Sequence, residues 1–348
     1  MASIRYIGSK ARIANSILRR IGEPDGGVFI DAFCGTGAVA QAASRAGWDV
    51  TVNDHLTSSA IMAYARVISR EDTDFAQLGG YRNAIAKLNA LQPVNGFVWR
   101  EYSPASSRYG SVSRMYFTEV NAQKIDAIRD RIRIWKDSSL INRAEENVLL
   151  ADLMGSANQV ANTAGTYGCF LSKWQRQSLD ALTLLPRIIP KNGPRVTMTT
   201  VDVLKLQCKS KDTVYLDPPY TKRQYAAYYH ILETIALGDE PKVKGVCGIR
   251  PWQDKASDYC YKSRAAKAIE RLVKALPVRR IFLSYSTEGH VSLATLLSVL
   301  TVLGTVTKFE IDRVGRYRPN RAASEAASEV GEVLFSIEKA DVNCQEGL

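Results

Sequence analysis

Several features are scarce in these 348 residues, and each scarcity removes a class of protein. No apolar run approaches the roughly eighteen residues that a membrane-spanning helix needs, so no spanning segment is expected. The opening stretch, MASIRYIGSKARIANSILRR, is basic but has no apolar segment leading to a small-residue cleavage site, so it does not read as a secretory signal. Histidine occurs only three times. The six cysteines, at positions 34, 169, 208, 247, 260 and 344, are scattered without a Cys-x-x-Cys pair. Neither a zinc site nor a disulfide framework is expected from them, no metal is called for, and a cytoplasmic compartment follows. There is no internal repeat and no low-complexity tract.

The composition that remains is that of a globular protein. Hydrophobic residues make up 46% and charged residues 23%, enough for a real core. The length allows two domains, or one α/β domain carrying a large insertion. Lys and Arg outnumber Asp and Glu by 46 to 35, giving a net charge of +11. A nucleic-acid backbone is the commonest partner for such a charge, although a plain basic protein has the same balance.

The most informative stretch is Val214-Tyr215-Leu216-Asp217-Pro218-Pro219-Tyr220. Its apolar start reads as a buried strand of a parallel sheet. Two prolines remove two backbone donors and stiffen the chain, so the strand stops at Asp217. A carboxylate, a carbonyl and an aromatic ring are thereby presented together at the carboxyl end of a strand, the edge where open α/β sheets bind ligands. That set suits a planar ring bearing an amino group, with one hydrogen given to Asp217, the other to the Pro218 carbonyl, and Tyr220 flat against the ring. A proline-terminated strand whose Asp caps the next helix is the plainer alternative.

A second constellation lies near the start. A short strand at 28–31 runs into Asp31-Ala32-Phe33-Cys34-Gly35-Thr36-Gly37, and a helix is expected over 37–46. Gly35-x-Gly37-x-x-Ala40 fits a dinucleotide-binding turn, in which glycines permit close backbone approach to a ligand. The next strand ends in Asp54, placed to accept hydrogen bonds from ribose hydroxyls. Ribose is common to several nucleoside cofactors, so these features alone leave NAD, FAD and others open.

With these motifs in view, the chain resembles the amino-group DNA methyltransferases, whose catalytic motif reads (D/N/S)PP(Y/F/W). Arg5-Tyr6-Ile7-Gly8-Ser9-Lys10 is similar to the (Y/F)xGxK element of their α-group, with Ser9 a candidate N-cap for a helix over 11–21. Asp31 to Ala40 resembles their DxFxGxG loop. The motif order is also that of the α-group of adenine methyltransferases, the Dam-type and many restriction–modification enzymes. The resemblance implies an α/β fold: a Rossmann-like S-adenosylmethionine-dependent sheet with helices on both faces. It implies a catalytic domain made of residues 1–67 and 188–348, and a mainly helical target-recognition region inserted at 68–187. S-adenosyl-L-methionine is then the expected cofactor, lined by Tyr6, Lys10, Asp31, Phe33, Gly35, Gly37, Asp54, Asp202 and Val203. Among these Asp31 would face the ammonium group, Asp202 the adenine amino group, and Val203 the adenine ring. Asp217, Pro218, Pro219 and Tyr220 carry the expected catalysis on a flipped adenine. The expected partner is double-stranded DNA, with a cognate restriction endonuclease as a further possibility, in a bacterial or phage-type cytoplasm.

Basic and aromatic residues mixed with small polar ones supply the expected DNA contacts. In the inserted region these are Arg108, Tyr109, Arg114, Tyr116, Lys173 and Arg176. Lys222 and Arg223 beside Tyr220 are placed for the phosphates of an extruded nucleotide, and Arg316 and Arg318 for a basic hairpin tip. Tyr225, Tyr228 and Tyr229 are candidate walls of a base pocket, and His230 reads as structural. Further strands are expected at 196–202, 280–286, 305–311 and 331–338, with helices near 119–136, 139–161, 228–237, 264–275 and 290–303. An RNA adenine methyltransferase, a cytosine-N4 enzyme and a catalytically dead binding module remain as alternatives.

Overall fold

The structure, a computed structural model, describes residues 6–314 and 330–340. These residues fall into two compact units. The first takes in the described chain up to Ile7, Leu56–Gly193 and Tyr225–Ala256. The second takes in Gly8–His55, Pro194–Gln224 and the described residues from Ser257 onward.

The second unit is built on one seven-stranded sheet. Its strands are β1 (Phe29–Asp31), β2 (Val50–Asn53), β3 (Val196–Thr199), β4 (Thr213–Leu216), β5 (Arg280–Ser286), β6 (Thr305–Val314) and β7 (Val330–Glu338). Their order is β3-β2-β1-β4-β5-β7-β6. The first five are mutually parallel, and β7 runs antiparallel between β5 and β6. The central strands β1 and β4 are buried along their whole length, as strands of a parallel sheet covered on both faces are.

One face is covered by helices α1 (Ala14–Ile21) and α2 (Ala38–Arg45), the other by α10 (Ala265–Ala275) and α11 (Leu293–Thr301). Helix α1 buries Ala14, Ile17, Leu18 and Ile21, the i, i+3, i+4, i+7 stripe of an amphipathic helix. It ends at Gly22, whose φ of 90° a side chain would resist. On the opposite face Ile269, Leu272 and Val273 of α10 pack with Val214, Leu216, Ile281, Leu283 and Phe335 of the sheet. This is the α/β sheet with helices on both faces that the motifs imply.

The first unit is helical: α3 (Thr57–Val67), α4 (Tyr81–Asn89), α5 (Phe97–Tyr102), α6 (Glu119–Asp137), α7 (Arg143–Val160), α8 (Tyr225–Tyr228) and α9 (His230–Leu237). The 68–187 stretch lies wholly within it, together with Leu56–Val67 and Tyr225–Ala256. Helix α7 starts with a reciprocal cap, Asn142 Oδ1 accepting from the Glu145 N–H at 2.9 Å and Glu145 Oε2 from the Asn142 N–H at 2.8 Å. The start of α3 is capped from far away in the chain. Buried Glu233 accepts from the Thr57 and Ser58 N–H groups and from the Lys255 ammonium at 2.8 Å. His230 is fully buried with Nε2 2.9 Å from the Tyr167 carbonyl, and burial lowers its pKa to about 4, so the ring is neutral.

Two of the boundaries that differ from the sequence expectation have a visible cause. Helix α1 begins at Ala14 with no side-chain cap, because residues 10–13 form a turn closed by the Ile13 N–H on the Lys10 carbonyl, so Ser9 caps nothing there. Strand β3 stops at Thr199 rather than at Asp202. The Asn53 side chain takes the backbone beyond it, its Oδ1 accepting from the Val201 N–H and the Thr199 hydroxyl and its Nδ2 donating to the Val201 carbonyl. Among the described residues no helix is long and apolar enough to cross a membrane.

Candidate active site

The strand order reverses between β1 and β4: β1 leads outward to β2 and β3, and β4 leads the other way to β5. That reversal is the switch point at which an open α/β sheet leaves a crevice at its carboxyl edge. Three strands deliver a carboxylate there. Asp31 ends β1, Asp54 follows β2 and Asp217 follows β4. Because Asp31 pairs in register with Tyr215, Asp217 follows two residues further along the adjoining parallel strand, toward the same carboxyl edge.

The loop after β1 is shaped by two glycines. Gly35 and Gly37 have φ of 50° and 74°, left-handed values that a Cβ would strain. The turn is closed by the Gly37 N–H on the Cys34 carbonyl at 2.7 Å and tied to β2 by the Cys34 N–H on the Asn53 carbonyl. Asp54 Oδ2 accepts from the Gly35 N–H at 3.0 Å, and Asp31 Oδ2 from the Ala40 N–H at 3.2 Å in the first turn of α2. Asp31 is only 2% exposed, and its other oxygen, Oδ1, meets no hydrogen-bond donor among the described residues. Burial, with the charge of Asp217 added, pushes its carboxyl up to about 8. A buried carboxylate oxygen without a donor, beside a glycine turn and an acid on the next strand, is a set that fits an ammonium group and a ribose. The residues therefore fit the amino-acid and ribose ends of S-adenosylmethionine.

Beyond β3 the chain turns through Val201 and Asp202. Asp202 is exposed and caps a short turn, its Oδ1 accepting from the Leu204 N–H at 2.9 Å. Val203 points into the core, whereas Val201 and Leu204 are exposed on either side of it. Phe33 is half-buried, edge-on to Tyr259 with centroids 5.4 Å apart.

At the catalytic corner Asp217 is held by Lys10. Lys10 Nζ lies 3.0 Å from Asp217 Oδ1, 3.6 Å from Glu332 Oε1 and 5.2 Å from the centre of the Tyr220 ring. Lys10 is 5% exposed. Burial alone would lower its pKa, but Asp217, Tyr220 and Glu332 together carry it above the ordinary lysine range, so the ammonium stays charged. Burial raises the Asp217 carboxyl and Lys10 pulls against that. Tyr220 leans on Tyr285 at 5.6 Å, and its carbonyl accepts from the His290 N–H at 2.9 Å. Gly289 lies against the Tyr285 ring so closely that a Cβ would overlap it.

The sequence-derived site residues thus divide. Lys10, Asp31, Phe33, Gly35, Gly37, Asp54, Asp202, Val203, Asp217, Pro218, Pro219 and Tyr220 all belong to the sheet unit, as do exposed Lys222 and Arg223. Tyr6 belongs to the helical unit, stacked on Tyr229 at 4.4 Å with its hydroxyl 2.9 Å from Ser59 Oγ. Arg108 is exposed, paired with Glu119 and laid over Trp99. Lys173 and Arg176 are exposed. Arg114 is instead committed internally, donating to the Glu101 carboxylate and to the carbonyls of Glu101, Gly245 and Val246. Tyr116, expected on a DNA-facing surface, is fully buried, its hydroxyl 2.9 Å from the Cys247 carbonyl. Arg316 and Arg318 lie outside the described residues. Two residues with a clear part in the site went unremarked in the sequence. Asn53 ties the three loops after β1, β2 and β3, and its signal was an amide at a strand end. Glu332 faces Lys10, and its signal was one carboxylate inside an apolar strand.

Comparison with known proteins agrees with this geometry. The sequence profile of the D12 class of N6 adenine-specific DNA methyltransferases matches residues 6–296. The type II methyltransferase M.NlaIII of Neisseria lactamica is 34% identical over 309 residues, covering 86% of this chain and 89% of that protein. The type II methyltransferase M.FokI of Planomicrobium okeanokoites is 33% identical over 352 residues, covering 97% of this chain and 53% of that protein. The modification methylase StsI of Streptococcus sanguinis is 33% identical over 343 residues, 97% of this chain and 52% of that protein. The chain therefore spans about half the length of these last two relatives. On the profile match and these relatives, the chain belongs to the D12 class of N6 adenine-specific DNA methyltransferases.

Proposed function

We propose that this chain methylates the exocyclic amino group of adenine in double-stranded DNA, as the modification activity of a restriction–modification pair with a cognate endonuclease in a bacterial or phage-infected cytoplasm. The observation that carries this reading is the delivery of Asp31 and Asp217 by adjoining parallel strands to the carboxyl edge at the switch point, one beside a glycine turn and one before two prolines. Bound S-adenosylmethionine supplies a methyl group on a sulfonium, and its transfer to nitrogen leaves a neutral thioether. Asp31 holds the ammonium of that cofactor, Asp54 its ribose, and Asp202 with Val203 its adenine. Gly35 and Gly37 keep the loop backbone close, and Lys10 and Phe33 complete the surroundings, with Tyr6 a proposal from the sequence alone.

On the substrate side, the Asp217 carboxylate and the Pro218 carbonyl accept the two amino hydrogens of a flipped adenine, while Pro219 fixes the turn and Tyr220 stacks on the ring. Two acceptors holding both hydrogens turn the nitrogen lone pair out of conjugation and toward the methyl carbon. The amine forms its new bond to carbon while the carbon–sulfur pair returns to sulfur, and the alkylated nitrogen then loses a proton to solvent. No general base is required, consistent with a His230 that is buried and neutral. Most of the acceleration is then orientational. Residues 1–67 and 188–348 carry catalysis on this reading, and residues 68–187 carry target recognition, with Arg108, Lys173, Arg176, Lys222 and Arg223 as phosphate contacts. Arg316 and Arg318 join them as proposals from sequence alone.

The test uses labelled cofactor with duplex DNA and, separately, structured RNA, followed by digestion to nucleosides. Label in N6-methyladenine from duplex DNA, absent with Asp217→Ala while cofactor binding persists, is the expected result. Label only in RNA, label in cytosine, or an active Asp217→Ala variant overturns the reading.

A further inference from the structure

Glu332 occupies an odd place for a carboxylate. It lies on β7 between Ser286 of β5 and Ile311 of β6, in a strand whose neighbours Val333, Leu334, Phe335 and Ile337 are all buried. It is 8% exposed. An ionised carboxylate there carries a desolvation penalty that an apolar residue of the same size would not, so its partners have to account for it. Those partners are all at the catalytic corner. Lys10 Nζ is 3.6 Å away, and Tyr220 and Lys10 both offset the rise that burial imposes on the carboxyl. Its second oxygen, Oε2, meets no hydrogen-bond donor among the described residues.

The consequence concerns Lys10. A buried ammonium with a single carboxylate in reach closes onto it fully, since the attraction strengthens as water is excluded. Here the ammonium is shared, 3.0 Å from Asp217 Oδ1 and 3.6 Å from Glu332 Oε1. The oxygens of Asp217 are the ones the substrate's amino group must use. An ammonium collapsed onto them would occupy the same lone pairs.

We propose that Glu332 is a positioning residue for methyl transfer: by drawing the Lys10 ammonium toward β7, it keeps an Asp217 oxygen available to the amino group of the target adenine. The inference rests on the proposed function and adds to it a further acidic residue, one that acts through Lys10 without touching substrate. It accounts for a carboxylate on a strand that otherwise has no use for one. It also assigns Lys10 a place between two anions at the substrate corner, in addition to any part in lining the cofactor.

The experiment is a single-turnover methyl-transfer assay with enzyme in excess over a DNA duplex, which keeps slow variants measurable. Glu332→Gln preserves shape and removes the charge. Its transfer rate is expected to fall about 10- to 100-fold, while the dissociation constants for S-adenosylmethionine and DNA stay within about threefold of wild type. In a Lys10→Met background the same Glu332→Gln change should cost less than about twofold, because the residue it acts through is gone. Glu332→Asp, which keeps the charge but retracts it by one methylene, should lie between the two.

A wild-type rate for Glu332→Gln alongside an inactive Asp217→Ala overturns this inference and leaves the proposed function standing. An equal loss with and without Lys10 also overturns it, since a merely structural carboxylate behaves that way. An active Asp217→Ala variant would bring down the function itself, a separate outcome. Should Glu332→Gln fail to show a cooperative thermal transition, Glu332→Asp decides: a folded protein with the wild-type rate refutes the role, and a rate several-fold slower supports it.

Discussion

The ionisation of Asp31 gives the cofactor site a pH signature that can be calculated from the structure. Burial and the neighbouring Asp217 charge push the Asp31 carboxyl up to about 8, while its bond from the Ala40 N–H works the other way. Pairing with an ammonium requires the carboxylate form. Below pH 8 ligand binding must therefore release a proton from Asp31. The α-ammonium of a free amino acid titrates above this range, so between pH 6 and 8 only Asp31 changes form. At pH 6 about 1% of Asp31 is ionised, against about half at pH 8. Binding should therefore be roughly fifty-fold weaker at pH 6 than at pH 8, about 2.3 kcal/mol.

Calorimetric titration with S-adenosylhomocysteine, which keeps the ammonium and lacks the sulfonium, reads this directly. Asp31→Asn should bind more weakly at pH 8 and lose the acid limb of the profile. The unliganded protein supplies an independent check. A carboxyl raised in the folded state holds a proton that the unfolded chain has already released, so stability falls as pH rises from about 4 to 8. Asp31→Asn removes that loss, and its melting temperature should gain on wild type as pH rises through the window. A flat wild-type affinity between pH 6 and 8, or an acid limb that survives in Asp31→Asn, would refute the reasoning.

Three further outcomes are expected. Tyr220→Ala should slow methyl transfer about 10- to 100-fold in single turnover while DNA affinity changes by less than about threefold, because stacking orients the base more than it holds the duplex. Gly289→Ala places a methyl group in the ring of Tyr285, which supports Tyr220; thermal or urea unfolding should register about 1–3 kcal/mol of overpacking, with slower transfer alongside. Replacing Lys222 and Arg223 together by Ala should flatten the dependence of log affinity on log salt by about 1.8 if both contact phosphates, and an unchanged slope in a DNA-binding titration would exclude them.

The parts of the site that could be read from the sequence are those fixed by local backbone chemistry. Two prolines end β4 whatever surrounds them, and the glycines after β1 demand a tight turn, so Asp217 and Asp31 could be assigned to one sheet edge without coordinates. Strand β5 was legible from the strand-forming residues Ile281, Phe282, Leu283 and Tyr285 within 280–286. What escaped depends on partners distant in sequence. Strand β3 ends early because Asn53 captures the backbone at Val201, a contact spanning 148 positions. Lys10 looks like a loop residue until β4 and β7 bring Asp217 and Glu332 to it. Arg114 and Tyr116 have the composition of a DNA-contacting surface, yet the loop at 245–247 turns their polar atoms inward.

The placement of Lys10 also separates the roles of the two central carboxylates. Asp31 and Asp217 end adjoining strands, and each charge disfavours the other. A pair of this kind holds a proton on whichever member has the poorer company. Lys10 is ion-paired with Asp217, whereas Asp31 Oδ1 faces no donor among the described residues, which favours the proton on Asp31 and the anion on Asp217. On the proposed function this is the useful assignment. Asp217 must accept hydrogen bonds from a neutral amine, which does not itself stabilise an anion, so its charge has to be secured by the protein. Asp31 has an ammonium to meet and can wait for it. Exchanging the two environments would leave the amine facing a protonated acid and the ammonium facing a carboxylate already neutralised by lysine. The single lysine therefore has to sit on the substrate side of the switch point, where β7 and Glu332 hold it.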